Sequence, residues 1–341
     1  MRVLLVTTWD TACGIAEHSA YLKEAVERAD PGIDVVPCPK GLDPNWINLV
    51  ESFPLPEMPD LFHLNYHAAL HSRWTAEFIQ KIQRGGAKVV VTYHDTGVPN
   101  SQQCLDILRA ADAGVVHEDC PDIIGDPELG PKVKYWRQGI PAGVWPMAFT
   151  VKDSDVHSTE DVYFKQWADQ PIVASIGFPF PWKNYDLLAE ASAAAGWALL
   201  LIAPNATQEQ VAHWRSVNPY SAIWNFFVPR NRALSLLSGC DATAFLYANA
   251  NTGTSAAIRL GIAARKPVLA TVSGGCRQFR DLDDSDAHEA ITWLPKLDVN
   301  HIVEALSHLH LGRVDPQVVR LAHLDSWERN GQRYAELYRS L

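Results

Sequence analysis

The sequence predicts an α/β protein made of two doubly wound, Rossmann-like domains. Short apolar runs alternate with helix-like stretches over most of the 341 residues, a pattern typical of βαβ units and parallel sheets. The alternation starts again after residue 170, and a chain of this length exceeds the usual size of one domain. We therefore predict two parallel sheets with helices on their faces.

The first predicted domain contains five apolar runs that read as buried strands. They are VLLVTT (3–8), DVVPC (34–38), LFHLN (61–65), KVVVTYH (88–94) and AGVVHE (113–118). Amphipathic segments at 14–29 and 72–85 have the helical period of apolar residues. Strands that alternate with helices in this way favour a parallel sheet.

The second predicted domain repeats the pattern with five more apolar runs. They are PIVASIGF (171–178), WALLLIAP (197–204), AIWNFFV (222–228), DATAFLY (241–247) and KPVLATV (266–272). We predict domains at 1–148 and 149–320 and a closing amphipathic helix in 321–341, with an irregular linker over 141–170. Because ligands bind beyond the carboxyl ends of such strands, we expect a cleft between the two domains.

Composition indicates a globular cytoplasmic protein. A fifth of the residues are charged and the formal net charge is −10, which disfavours nonspecific binding to nucleic acid. The six cysteines are scattered without a CxxC pair, as expected for free thiols in a reducing compartment. The opening run MRVLLVTTWD is too short for a signal sequence, and no apolar run reaches the length of a membrane span.

Two segments of the first domain carry candidate functional residues. Gly14 opens the helix after the first strand, where a glycine lets the main chain approach a phosphate, although it could be a plain turn residue. His94 and Asp95 follow a buried strand, at the edge that faces the cleft. An imidazole there can bind a sugar hydroxyl or support charge, or it can simply cap the next element. His67 is placed similarly after another strand.

Two segments of the second domain suggest an anion site. Lys183 lies in the loop of SIGFPFPWKNYDLL, where an ammonium suits a pyrophosphate, but an ordinary surface lysine would look the same. Gly253, Thr254 and Ser255 precede the helix SAAIRLGIAA, whose free N–H groups and hydroxyls could bind an anion. A plain capped helix remains an equal alternative.

Other chemistries lack their motifs in this sequence. The consecutive residues His117, Glu118, Asp119 and Cys120 do not have the spacing of a usual zinc site, so the sequence predicts no metal. There is no GxGxxG, no Walker lysine, no GxSxG elbow and no HExxH. A dinucleotide cofactor is not expected.

Taken in order, several segments resemble a known family. They are CGIAEHSAYL, VTYHD, SIGFPFPWKNYDLL, CDATAFLYANANTGTSAAIRLGIAARKPVLAT and the tail DSWERNGQRYAELYRSL. Together they resemble the GT-B glycosyltransferases of the large retaining, family 4-like group that includes sucrose synthase and bacterial mannosyltransferases. The resemblance spans nearly the whole chain. It implies a first domain for the acceptor, a second for a nucleotide-sugar donor, and a last helix that crosses back onto the first.

The resemblance also implies roles for individual residues. His94 would lie beside the donor sugar, and Lys183 would be the lysine of an arginine–lysine pair on the diphosphate. Phe178 stands at the position of the arginine. The remaining assignments concern the two substrates: Gly14, Gly253, Thr254 and Ser255 near the donor phosphates, Val228 near the base, and Asp10, His67 and Asp95 on the acceptor side. Transfer would need no metal and no cofactor besides the donor.

One departure from the family pattern leaves the function open. The family usually has two glutamates eight positions apart, which bind the donor sugar and the ribose, and these positions fall here on Thr252 and Leu260. The first hypothesis is a glycosyltransferase acting on an unidentified acceptor: a small molecule, a glycan or modified DNA, as in some phage transferases. The alternative is a nucleotide-sugar binding protein with a degenerate site and no turnover.

Overall fold

The computed structural model describes eleven parts of the chain. They are residues 1–9, 14–37, 58–67, 71, 74–94, 102–117, 121–141, 169–248, 255–280, 289–309 and 315–341. The chain forms two compact units, and each is described by itself. Unit 1 comprises Met1–Gly139 together with Asp325–Leu341, and unit 2 comprises Ile140–Leu324. Most of the predicted linker, 142–168, lies outside the described residues.

Unit 1 is built on a six-stranded parallel sheet of order β2-β1-β3-β4-β5-β6. The strands are β1 (Arg2–Val6), β2 (Asp34–Pro37), β3 (Leu61–Tyr66), β4 (Lys88–Tyr93), β5 (Ala113–Val116) and β6 (Val133–Tyr135). All six residues of β3 are buried, as expected for a central strand covered on both faces. The described helices are α1 (Gly14–Ala29), α2 (Ala76–Arg84), α3 (Gln102–Ala110), α4 (Pro121–Ile124) and the final α12 (Trp327–Ser340).

Helix α12 packs against α1 within unit 1. It begins at Ser326, whose side chain accepts a hydrogen bond from the N–H of Arg329, the usual cap of a helix start. At Gly331 the two helices come so close that a Cβ atom would overlap with the main chain of Ala25. Trp327 stacks on Tyr21 of α1 with ring centroids 5.5 Å apart. The last helix therefore completes the core of unit 1.

Unit 2 contains a second six-stranded parallel sheet, of order β12-β11-β10-β7-β8-β9. Its strands are β7 (Ile172–Ile176), β8 (Ala198–Ile202), β9 (Ser221–Trp224), β10 (Ala242–Phe245), β11 (Val268–Thr271) and β12 (Ile291–Leu294). Its helices are α5 (Tyr185–Ala194), α6 (Gln208–Val217), α7 (Arg230–Gly239), α8 (Ala256–Ala263), α9 (Gly274–Arg277), α10 (Val299–His308) and α11 (Pro316–Leu324), with a 3₁₀ turn at Pro181–Lys183. Apolar clusters cover both faces of the sheet.

The structure confirms the predicted fold class of two doubly wound parallel sheets. Each sheet has six strands rather than the five that the apolar runs indicated, because β6 and β12 are short strands at a sheet edge with partly exposed residues. In each sheet, the side on which successive strands are added changes once. This reversal point lies between β1 and β3 in unit 1 and between β7 and β10 in unit 2. Within the described residues, no helix combines the length and apolar character needed to cross a bilayer.

Candidate functional site

The reversal point of the sheet in unit 2 is the first place to look for a ligand. Strands β7 and β10 are neighbours there, and the chain leaves their carboxyl ends in opposite directions across the sheet. In open parallel sheets this arrangement opens a crevice in which ligands bind. The loops that follow these two strands hold Lys183 and Tyr247.

Lys183 is buried at the end of the 3₁₀ turn, with only 7% of its surface exposed. Its Nζ lies 5.5 Å from the ring centroids of both Trp182 and Tyr247. Among the described residues, no hydrogen bond from Nζ and no carboxylate near it contributes to its electrostatics. Burial lowers the pKa of Lys183 to about 8. The lysine is therefore a largely desolvated cation, not the ordinary surface lysine that the sequence also allowed.

Two features of the loop after β7 fix the position of this ammonium. Gly177 has a φ of +131°, which residues with a side chain rarely adopt, and any Cβ there would overlap with Lys183 Nζ. Asn184 has a left-handed φ of 53° and donates from Nδ2 to the carbonyl oxygen of Leu246 at 2.6 Å. That hydrogen bond joins the loop after β7 to the loop after β10, and together the two loops fix the position of Lys183.

Helix α8 begins close to the same ammonium. A Cβ atom at Gly177 would lie 3.6 Å from the Cβ of Ala257, in the first turn of the helix. The first N–H groups of a helix have no partner within it and carry its positive dipole end. Ser255 occupies the N-cap position without capping, because its Oγ is hydrogen-bonded to the Tyr247 hydroxyl at 2.8 Å. A buried cation and a helix start thus lie side by side.

A second buried cation, Arg259, supports this region from within α8. It is 2% exposed and donates to the carbonyl oxygen of Ser255 at 2.6 Å and to Oε1 of Gln278 at 2.7 Å. Burial raises the pKa of the Cys276 thiol to about 12, and the positive charges of Arg259 and Lys183 partly oppose that rise. The buried ammonium of Lys183 beside the start of α8 favours an anion at this edge of the sheet.

Unit 1 has its own cluster of polar residues at the carboxyl edge of β4 and β5. His94 follows β4, His117 follows β5, and His18 lies in α1. One ring nitrogen from each histidine lies within 4.8 Å of the other two. The ring centroids of His18 and His94 are 4.6 Å apart, and each lies 5.2 Å from that of His117. Sequence reasoning did not group these three, because they come from separate elements.

Burial disfavours the charged form of two histidines of unit 1, His63 and His94. Desolvation lowers the pKa of His94 well below its usual value, and His117 lowers it further. The same cause lowers the pKa of His63 to about 3. His63 is part of the core, since Nε2 is 2.7 Å from the Thr92 hydroxyl and Nδ1 is hydrogen-bonded to the Tyr338 hydroxyl.

The other residues singled out in the sequence fall in several places. Gly14 is the first residue of α1 in unit 1, and His67 follows β3, where its N–H donates to Nδ1 of His71 at 3.1 Å. Val228 is buried in the apolar core of unit 2. Leu260 also packs in that core, at one of the two positions where the resembling family has a glutamate. Four predicted site residues and the other glutamate position lie outside the described residues: Asp10, Asp95, Gly253, Thr254 and Thr252.

Comparison with solved structures identifies the architecture. HepE from Anabaena, in complex with UDP, matches over 100% of both chains with a TM-score of 0.69 and 14% sequence identity. The chain has the GT-B fold. The catalytic domain of starch synthase IV from Arabidopsis thaliana, bound to ADP and acarbose, matches over 99% of this chain and 98% of that one, with a TM-score of 0.67 and 12% identity.

A third match is similar in extent. The E. coli trehalose-6-phosphate structure bound with UDP-2-fluoro glucose covers 100% of this chain and 99% of its own, with a TM-score of 0.69 and 10% identity. No family model and no curated protein matches the sequence. At these identities the GT-B fold is shared, while the activity of this chain has to be argued from its own residues.

Proposed function

We propose that the chain is a glycosyltransferase that takes its sugar from a nucleoside-diphosphate sugar. One observation carries the proposal: a buried lysine at the reversal point of the unit 2 sheet, beside the start of α8, has no carboxylate among the described residues to neutralise it. Solved GT-B structures with UDP, ADP or a UDP-sugar bound support the choice of ligand class.

The chemistry of the donor explains why such a site would be useful. A buried charge without a counter-ion is unfavourable, and a diphosphate would supply the missing negative charge. When the bond from the sugar to the diphosphate breaks, the leaving group becomes more negative. Lys183 and the first N–H groups of α8 would then interact more strongly with the transition state than with the bound donor. No divalent ion is needed at the diphosphate in this proposal.

The remaining donor contacts belong to the same proposal. Gly253, Thr254 and Ser255 would extend the anion site at the start of α8. Val228 is buried, so its main chain rather than its side chain would contact the base. Gly14, the first residue of α1, is assigned to the donor phosphates as part of the same proposal. These assignments rest on the resemblance of the segments that contain them.

Unit 1 would bind the acceptor and supply one catalytic group, His94. We propose that His94 contacts the donor sugar as a neutral imidazole, since burial strongly disfavours its charged form. Asp10, His67 and Asp95 would lie on the acceptor side. No carboxylate nucleophile is assigned, which agrees with transfer that retains the anomeric configuration through attack on the same face as the departing diphosphate.

A second candidate is a binding protein that holds a nucleotide sugar without turnover. The observation that favours it is Leu260, a buried apolar residue where a ribose-binding glutamate would be expected. The same Lys183 site would serve both functions. The acceptor of an active enzyme would be a small molecule, a glycan or modified DNA.

A ligand screen followed by a turnover assay separates these functions. The chain is heated with UDP-, GDP-, ADP- and TDP-sugars, and a ligand at a hundred times its Kd should stabilise it by about 2.7 kcal/mol. An enzyme should also release nucleotide slowly from the stabilising donor, whereas a binder should not. If no nucleotide sugar raises the Tm, the donor site is wrong for both functions.

A matched pair of variants tests the residue that carries the proposal. Lys183→Ala should weaken nucleotide binding and lower kcat, by roughly ten- to a hundredfold, because a charge-assisted hydrogen bond contributes about 1.5–3 kcal/mol. Lys296→Ala is the control, since Lys296 is also in unit 2 but its side chain is 72% exposed. Equal binding and turnover by both variants and the wild type would contradict the assignment.

A further inference from the structure

We infer that His18, His94 and His117 form a binding site for a transition-metal ion of the Zn²⁺ type in unit 1. Their ring nitrogens lie within 4.8 Å of one another. Three histidine nitrogens are a ligand set that zinc uses in sites with one open position. The three ligands all belong to unit 1, and the inference does not depend on the proposed transfer reaction.

The distances allow an ion to bind after small side-chain movements. Any three atoms within 4.8 Å of one another can be reached from a single point about 2.8 Å away, whereas Zn–N bonds are about 2.0–2.1 Å. In a tetrahedral site with these bond lengths the three nitrogens lie about 1.9 Å from their common centre, so each ring would move inward by about 0.9 Å at most. Rotation about the side-chain torsions of the three histidines can provide a shift of this size.

A hydrogen bond orients the His117 ring as metal-ligating histidines are usually oriented. Nδ1 of His117 lies 2.8 Å from the carbonyl oxygen of Trp136, to which it can only donate. Nδ1 of His18 lies 2.9 Å from Nε2 of Gln138, which donates to it as placed; a half-turn of the amide would put Oε1 there to accept from Nδ1 when the ring binds an ion. With Nδ1 engaged, Nε2 is the nitrogen that each ring can offer to an ion.

His94 contributes the observation that points most directly to a ligand. Its Nε2 is buried, and among the described residues it has no hydrogen-bond partner. A buried polar atom without a partner is unfavourable, because it has lost its hydrogen bonds to water, so a native structure usually provides a partner or binds one. The neighbouring rings of His18 and His117 make a metal ion the partner that fits best, since all three imidazoles are neutral when they bind metal.

The ligand type selects among metals. Imidazole nitrogens suit Zn²⁺, Co²⁺, Ni²⁺ and Cu²⁺, whereas Mg²⁺ and Ca²⁺ prefer oxygen ligands. The three described ligands leave a fourth tetrahedral position for water or a substrate oxygen. An ion held by these histidines would therefore differ from a divalent ion that bridges phosphates, and all its protein ligands would belong to unit 1.

Direct metal binding by the whole 341-residue chain tests the inference. The protein is treated with EDTA, desalted and titrated with Zn²⁺ by calorimetry, and with Co²⁺ while visible absorption is recorded. We expect one Zn²⁺ per chain, a tetrahedral Co²⁺ spectrum and a rise in Tm with Zn²⁺ but not with Mg²⁺. Because His94 also belongs to the proposed reaction, activity is not used as the readout. Absence of Zn²⁺ binding to the wild type would overturn the inference without affecting the donor site.

Three variants then locate the bound ion. His117→Gln should weaken Zn²⁺ binding by more than the roughly 10–100-fold expected for Gln138→Ala, which removes only an outer partner of His18. His308→Gln is the control, because His308 is an exposed histidine in unit 2. If His117→Gln fails to fold, Gln138→Ala and the Co²⁺ spectrum of the wild type still decide. Zn²⁺ binding that His117→Gln and Gln138→Ala leave unchanged, or that His308→Gln abolishes, would place the ion elsewhere.

Discussion

Replacing Lys183 by methionine should stabilise the ligand-free protein while it weakens nucleotide binding. Methionine has a similar length and shape, and it can occupy the space between Trp182 and Tyr247 without a charge. Burial lowers the pKa of Lys183 from 10.5 to about 8. That difference corresponds to about 3 kcal/mol by which folding disfavours the protonated lysine. Lys183→Met removes this penalty.

The dependence on pH distinguishes this effect from ordinary packing. Between pH 8 and 10.5 the unfolded chain binds more protons at Lys183 than the folded chain, so the stability of the wild type rises with pH in this window. Below pH 8 the penalty is complete. The advantage of Lys183→Met should therefore be largest at pH 7, shrink above pH 8 and nearly vanish by pH 10.5.

Scanning calorimetry of the ligand-free protein at several pH values measures the effect. About 3 kcal/mol in a unit of this size corresponds to a rise in Tm of roughly 5–10 °C at pH 7. Lys296→Met is the matched control, since its exposed ammonium pairs with Asp298 at 3.2 Å and should change Tm little. A lower Tm for Lys183→Met at pH 7, or a gain that stays constant from pH 7 to 10, would refute the reasoning.

Four further outcomes are expected. Nucleotide affinity of the wild type should fall as the pH rises above 8, as titration of Lys183 removes its charge, and Lys183→Met should lack this decline. Nucleotide binding should survive EDTA, and a loss that Mg²⁺ or Mn²⁺ restores would contradict the metal-free diphosphate site. Ser255→Ala should weaken nucleotide binding by about 1 kcal/mol, which is less than the effect of Lys183→Ala. It removes the hydroxyl that is hydrogen-bonded to Tyr247 but keeps the N–H groups of α8. Gly331→Ala should destabilise the chain by about 1–3 kcal/mol in urea unfolding, because its Cβ would overlap with the main chain of Ala25; unchanged stability would contradict the close packing of α1 and α12.

The fold was predictable because the central strands of both sheets are continuous apolar runs in the sequence. β4 and β8 are buried along nearly their whole length, and such runs separated by amphipathic helices are typical of parallel sheets. β6 and β12 escaped prediction for the opposite reason. They lie at the sheet edges, and alternation over three or four residues with partial exposure gives no signal above that of a loop.

The candidate sites were predictable only where one segment carried the information. Lys183 stood out within its own loop, but its burial depends on Tyr247, which is more than sixty residues away. The histidine cluster shows the same limit. A search for metal ligands at 117–120 relied on spacing within one segment, whereas the structure groups His117 with His18 and His94 from two other elements. Contacts between distant segments are set by sheet order, which residue spacing does not encode.

The packing of α12 on α1 has a consequence for the order of folding. Unit 1 is discontinuous in sequence, because Asp325–Leu341 joins residues that precede Gly139 only after all of unit 2 has been made. A ribosome therefore releases the parallel sheet of unit 1 while α1 still lacks its covering helix. Unit 2 is continuous and can fold in the meantime. During that interval the face of α1 that carries Tyr21 and Ala25 has to stay uncovered until the last seventeen residues arrive.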